Sequence, residues 1–193
     1  FTKTATGVGN AGVANVLGSP YPAQTDSGAT NTNSEGNLRL AGGATATNTQ
    51  RWITTIGAMT GKFYWEIELV DGTGGTNHPG LGLTDFETPY VAIVGMTSTG
   101  MKYEYPNRPY SPYPSYGLSY TTGDIVQFAL DLDNGTFFMG KNGTWFNSAT
   151  KAEIEAGTST NALSKTSDWA ALGDGKTFMG PAATNSSTDM RLR

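Results

Sequence analysis

Two carboxylates two residues apart, Asp131 and Asp133, form the arrangement in this chain best placed to do chemistry. On an extended strand both would point to the same side. Paired carboxyl groups roughly 5 to 9.5 Å apart are what glycoside hydrolysis requires, one as acid and the other as base or nucleophile. Asp133, however, heads Asp133-Asn134-Gly135, a sequence suited to chain reversal, where a carboxylate bonds nearby backbone N–H groups. The expected role of the pair is turn formation. Glu66 and Glu68 make a similar pair, expected on the polar face of a strand. Oxygen ligands also gather at Asp124, Asp131, Asp133 and Asn134, but their spacing departs from the Asp-x-Asp-x-Asp-Gly calcium loop, and Asp124 reads as a turn cap. The single histidine, His78, lies in a Gly-rich stretch over 74–80. Nothing in the sequence specifies a nucleophile or orienting carboxylate for it, and a lone imidazole is not a metal site, so it reads as a solvated loop residue. No catalytic residue, metal or cofactor is expected.

The segment 103–120, YEYPNRPYSPYPSYGLSY, has a different character, with six tyrosines, four prolines and one arginine. Proline fixes φ and lowers the entropy lost on binding, while tyrosine offers a flat apolar face with a polar tip. Those properties suit a rigid contact loop for another protein or for a sugar. Arg and Tyr are also enriched at interface centres. Tyr103, Tyr105, Arg108, Tyr110, Tyr113 and Tyr116 are therefore the candidate binding residues. The alternative is that these rings cover a sheet edge or pack against the N-terminal segment.

The elements that must position these residues are strands. In 123–146, GDIVQFALDLDNGTFFMGKNGTWF, Val126, Phe128, Leu130 and Leu132 alternate with Gln127, Ala129 and Asp131, predicting a strand with one buried face. Asp133-Asn134-Gly135 and Lys141-Asn142-Gly143 predict tight turns on either side of a strand from Thr136 to Met139, with Thr144–Phe146 beginning a third. Two Asn-x-Thr triplets coincide with these turns and are read as turns. Phe63, Trp65, Ile67 and Leu69 predict another strand, with Tyr64, Glu66 and Glu68 on its other face. Further strands are expected over 37–41, 51–56, 80–84, 90–94, 101–105, 116–120, 176–182 and 189–193. Lys151–Ala156 is the one plausible helix, ended by Gly157. Residues 1–36 have little apolar content and read as an extended arm or linker, leaving 37–193 as one β domain.

Two blocks carry a family resemblance. Gly61-Lys62-Phe63-Tyr64-Trp65-Glu66-Ile67-Glu68-Leu69, followed by Gly123-Asp124-Ile125-Val126 and Leu130-Asp131-Leu132-Asp133-Asn134-Gly135-Thr136, resembles the SPRY domain, and the similarity spans roughly 37–193. The resemblance implies an all-β fold, a bent two-sheet antiparallel β-sandwich of concanavalin-like or jelly-roll type. It also implies partner recognition through loops, with no catalytic centre. SPRY chains usually close with a strand leading into Asn-Phe-Gly; this chain reaches Arg193 where that segment is expected to start. With Phe1 rather than Met at its head, it reads as processed or as a piece of something longer.

Composition narrows the function. Charged residues make up only 15%, glycines number 26, and the net charge is -4 without any Lys/Arg cluster, which argues against nucleic-acid binding. No apolar run approaches the ~18 residues of a membrane span. Zero cysteines exclude disulfides. The Thr/Gly/Asn-rich style, the absent cysteines and the extended N-terminal arm resemble SPRY-type domains of phage virion and tail-fibre proteins, which implies a non-catalytic structural or adhesion module of a virion or another extracellular assembly. Its partners would be a neighbouring copy in a homo-oligomer, a receptor protein or a cell-surface glycan, with edge strands of low charge inviting docking. A peptide-binding adaptor of the SPRY kind is the alternative, and a carbohydrate-active enzyme on the same sandwich is a third reading.

Overall fold

The structure, a computed structural model, describes residues 32–35, 38–41, 57–71, 81–85, 93–97, 100–105, 108–113, 120–158, 160–164, 177–180 and 189–193. The first sheet contains β1 (Thr32–Ser34), β2 (Arg39–Ala41), β4 (Lys62–Asp71), β9 (Ile125–Asp131), β10 (Thr136–Lys141), β11 (Thr144–Trp145), β12 (Leu163–Ser164) and β14 (Asp189–Leu192). Its order is β1-β2-β14-β4-β9-β10-β11, with β12 beside β10. The second sheet contains β3 (Gly57–Ala58), β5 (Leu81–Asp85), β6 (Ile93–Thr97), β7 (Gly100–Tyr105), β8 (Arg108–Tyr113) and β13 (Thr177–Gly180), in the order β3-β13-β5-β6-β7-β8. Every pairing among the described residues is antiparallel.

The core follows from alternation along the long strands. Trp65, Ile67 and Leu69 of β4 share a buried face with Val126, Phe128 and Leu130 of β9, Phe137 and Met139 of β10, and Met190 and Leu192 of β14. Register aligns Trp65 with Phe128 and Phe128 with Met139. Trp65 and Phe128 stack with centroids 5.1 Å apart, and Phe137 lies 6.0 Å from Phe128 with the planes 5° apart. Ala58 of β3 packs against this cluster, which turns the apolar face of the first sheet toward the second. Each large side chain removed from water here is worth about 1.5–3 kcal/mol.

The opposite face of β9 and β10 departs from the expectation of one buried face. Gln127, Ala129 and Asp131 are buried too, as are Thr136 and Phe138. The cause lies further along the chain. Helix α1 (Lys151–Ala156) lays Ile154 on Ala129 and Phe138, with Trp145, Ala149 and Ala162 around them. The helix starts with a capping box, in which Thr150 Oγ1 accepts from Glu153 N and Glu153 Oε2 accepts from Thr150 N at 2.7 Å. Thr-x-x-Glu was present in the sequence and marks this start. Gly157 ends the helix at φ 69°, ψ 31°, as its position predicts. Thr150→Ala is expected to lower unfolding free energy by about 1 kcal/mol in urea titration.

The predicted meander is present, with β10 extending to Lys141 and the turn residues Asn142 and Gly143 at φ 51° and 82°. Of the strand expected over 90–94, Ile93 and Val94 are described and belong to β6, which runs to Thr97. The strand expected over 51–56 lies outside the described residues, as do His78 and residues 116–119 of the strand expected over 116–120; Tyr120 is described, is buried and is not in a strand. Of the arm expected over 1–36, only 32–35 are described, and Thr32–Ser34 pair with β2.

Candidate binding surface

The acidic residues that could have done chemistry are engaged with the fold. Asp131 Oδ1 accepts from Asn134 N at 3.0 Å and Oδ2 from Asn134 Nδ2 at 2.7 Å, while Lys62 Nζ stands 3.1 Å away. Burial opposes ionisation of Asp131, but the Asn134 hydrogen bonds and the Lys62 ammonium outweigh it and hold the carboxyl below its ordinary range. Asp133 Oδ1 accepts from Gly61 N at 3.0 Å, tying its turn to the start of β4. Asp124 accepts from Thr121 N at 2.8 Å and Asn142 Nδ2 at 2.7 Å, with Lys141 Nζ 3.4 Å away. Burial again works against its charge and is overcome by these donors. The two carboxylates that a glycosidase reading needs serve turns instead. Among the described residues no group of three or more acidic, His or Cys side chains is arranged to hold a metal ion. No helix there is long and apolar enough to cross a membrane.

The tyrosine- and proline-rich segment corrects the sequence reading. Rather than a loop between strands, it begins as a hairpin, with β7 running to Tyr105 and β8 from Arg108 to Tyr113. Tyr103 pairs with Ser111 and Tyr105 with Arg108, and the register shifts between them, a bulge with one extra residue on β8. Five candidate residues, Tyr103, Tyr105, Arg108, Tyr110 and Tyr113, are thereby brought onto two adjacent strands; Tyr116 lies outside the described residues. Among the described residues β8 is the last strand of its sheet. That position explains how Pro109 and Pro112 coexist with a strand, since proline lacks an N–H and is tolerated at edges and bulges. Tyrosine's preference for strands does the rest.

A second surface, absent from the sequence reading, lies on the outer face of the first sheet. Alternation in β14 buries Met190 and Leu192 and turns Arg191 outward beside Glu68, its partner in register on β4. Arg191 bonds Glu68 Oε2 at 3.0 Å and Glu35 at 2.8 Å; Arg193 bonds Glu68 at 2.8 Å; Arg39 bonds Asp189 at 2.6 Å and Glu35 at 3.5 Å. Hydrogen bonds from Arg191 lower the Glu35 pKa, and those from Arg193 lower that of Glu68. One step along β4, Glu66 accepts from Tyr64 Oη, and the Tyr64 ring meets Trp145 edge-on at 6.3 Å and 68°. Arg191→Gln is expected to lower the melting temperature in dilute buffer and to do so much less in about 1 M salt, where the Debye length is ~3 Å. A salt-independent loss would mean that the arginine acts by packing.

These features define a two-sheet antiparallel β-sandwich, a fold similar to that of solved SPRY domains. The fold is similar to the crystal structure of the SPRY domain of human HERC1, with a TM-score of 0.54 and 16% identity, covering 85% of this chain and 92% of that one. It is also similar to the TRIM65 PSpry domain, with a TM-score of 0.53 and 11% identity, covering 84% of this chain and 85% of that one. No protein-family sequence model matches the chain.

Proposed function

We propose that this chain is a non-catalytic protein-recognition module that contacts its partner through the β7–β8 hairpin. The observation that carries this reading is the placement of the Tyr/Pro segment on the outermost hairpin of the six-stranded sheet. The fold, similar to that of solved SPRY domains, supports it, because a rigid β-scaffold can position a binding segment. Strand addition, which low edge charge had suggested, fits poorly, since two of the six residues of β8 are prolines without an N–H. Recognition by tyrosine side chains and Arg108 fits better.

Selection of a random peptide library on the wild-type protein, followed by affinity measurement on a Tyr110→Ala/Tyr113→Ala variant, tests this. Loss of an anchoring tyrosine costs about 2 kcal/mol, roughly thirtyfold in affinity. Peptides that bind both proteins equally, with both folded by circular dichroism, would overturn the assignment of this hairpin.

A second reading keeps the hairpin and changes its setting. The low charge content and the 26 glycines favour an adhesion module of a virion or extracellular assembly, acting on a neighbouring copy or a glycan. A glycan array probed with the same two proteins separates it from peptide recognition.

A further inference from the structure

The segment 147–158, which carries α1 across the outer face of β9 and β10, has features that pull against its own seat. α1 has six residues, too few to stay helical without a surface to pack on. Ile154 is its one buried side chain, and the cluster it forms with Ala129 and Phe138 is small beside the core on the opposite face. The segment begins with Asn147 and Ser148, both in the left-handed region at φ 54° and 61°, where an L-residue is strained. Thr136 shares the face of Phe138. Its hydroxyl is buried and, among the described residues, has no hydrogen-bond partner. Water would satisfy that hydroxyl, so its burial also works against closure. Polar ties fasten the C-terminal end of the helix. Lys62 Nζ donates to Glu155 O at 2.7 Å and stands 3.1 Å from Asp131 Oδ2, and Gly157 closes on the same carboxylate.

We propose that 147–158 is a lid that opens as one unit while both sheets stay folded, with Lys62 and Asp131 as its clasp. Opening relieves the strain at Asn147 and Ser148 and hydrates the Thr136 hydroxyl, while the core on the other side of β9 and β10 is left intact. Phe146 before the lid and Leu163 after it are buried in that core and act as the fixed ends. What opening uncovers is Ala129, Phe138 and Thr136 beside the Asp131 carboxylate, an apolar strip with a charge at one end. The lid shares no residue with the β7–β8 hairpin.

The chain has no cysteine, so a single introduced thiol can report on either face of β9. Ala129→Cys places one beneath the lid and Val126→Cys one in the main core; both positions are buried, on one strand, and face opposite ways. Labelling with an aromatic disulfide reagent is followed at increasing urea. The Ala129→Cys thiol is expected to react about a hundredfold faster than the Val126→Cys thiol, at a rate that hardly responds to low urea, because local opening exposes little surface. The Val126→Cys rate should rise steeply, since it needs the sandwich to unfold. Equal rates with equal urea dependence would overturn the proposal. Amide hydrogen exchange on the unaltered protein is a second reading, and it decides if either variant fails to fold. The amides of Ile154, Gly157 and Thr158, which donate within the lid, should open together and be about a hundredfold less protected than Leu69 and the ladder amides of β4 and β9. One common protection for both groups would mean that the segment opens only with the whole domain, and the lid would be ruled out.

Discussion

Asp131→Ala is expected to lower unfolding free energy by about 2–3 kcal/mol, because it removes the acceptor for three polar groups at once. Asp131 is almost fully buried, and it joins Asn134 in the turn, Lys62 on β4 and the end of α1. The helix end comes so close that a Cβ on Gly157 would land on Asp131 Oδ2. Gly157 also holds φ at +69°, where an L-residue costs about 1–2 kcal/mol. Gly157→Ala therefore carries both strain and a clash, for an expected loss of about 3 kcal/mol. Removing Asp131 relieves the nearest clash, although the new methyl group would still stand 2.5 Å from Asn134 Nδ2, which has to shift. The double variant should accordingly lose about 1 kcal/mol less than the two single losses combined. Chemical denaturation of the four proteins measures this; strict additivity would show that Gly157 and Asp131 do not meet.

The same carboxylate gives stability a pH dependence of defined sign. The folded-state pKa of Asp131 is lowered, so its contribution is fully present above the unfolded value of about 3.9 and is lost as pH falls through the folded pKa. Asp124 acts in the same direction. In Asp131→Ala the acid limb should be shallower than in the wild type. An unchanged acid limb would assign the transition to other carboxylates.

Phe128→Ala is expected to have the largest effect of all, about 3–5 kcal/mol, enough to unfold a marginal domain. Phe128 is fully buried and stacks on both Trp65 and Phe137, with the three rings drawn from β4, β9 and β10. Its removal leaves a cavity that three hydrogen-bonded strands cannot collapse to fill. Phe128→Leu should recover more than half of the loss, since it restores most of the volume. Thermal unfolding followed by tryptophan fluorescence reports both. A loss below about 1.5 kcal/mol for the alanine variant would mean that the sheets close over the gap.

The strands of the meander were legible because each pattern is local. Period-two alternation over Val126–Leu132 needs no knowledge of a partner, and Asn142-Gly143 encodes its own positive φ values. Gly157 was legible for the same reason. The Tyr/Pro segment misled because proline counts against a strand locally, whereas an edge position makes it acceptable, and edges are a property of the whole sheet.

The sequence by itself determined that β4 and the strands of the meander extend, where the meander turns, and which side chains of β4 and β9 face the core between the sheets. Only the tertiary structure decided that the other face of β9 is buried beneath Ile154, that Asp131 meets Gly157, and that Arg191 and Arg193 reach Glu68 from more than a hundred residues away. Alternation fixes the face on which a side chain emerges. The neighbour it finds there depends on strand order and register, which are set by burial of the sheets together and carry no local signature.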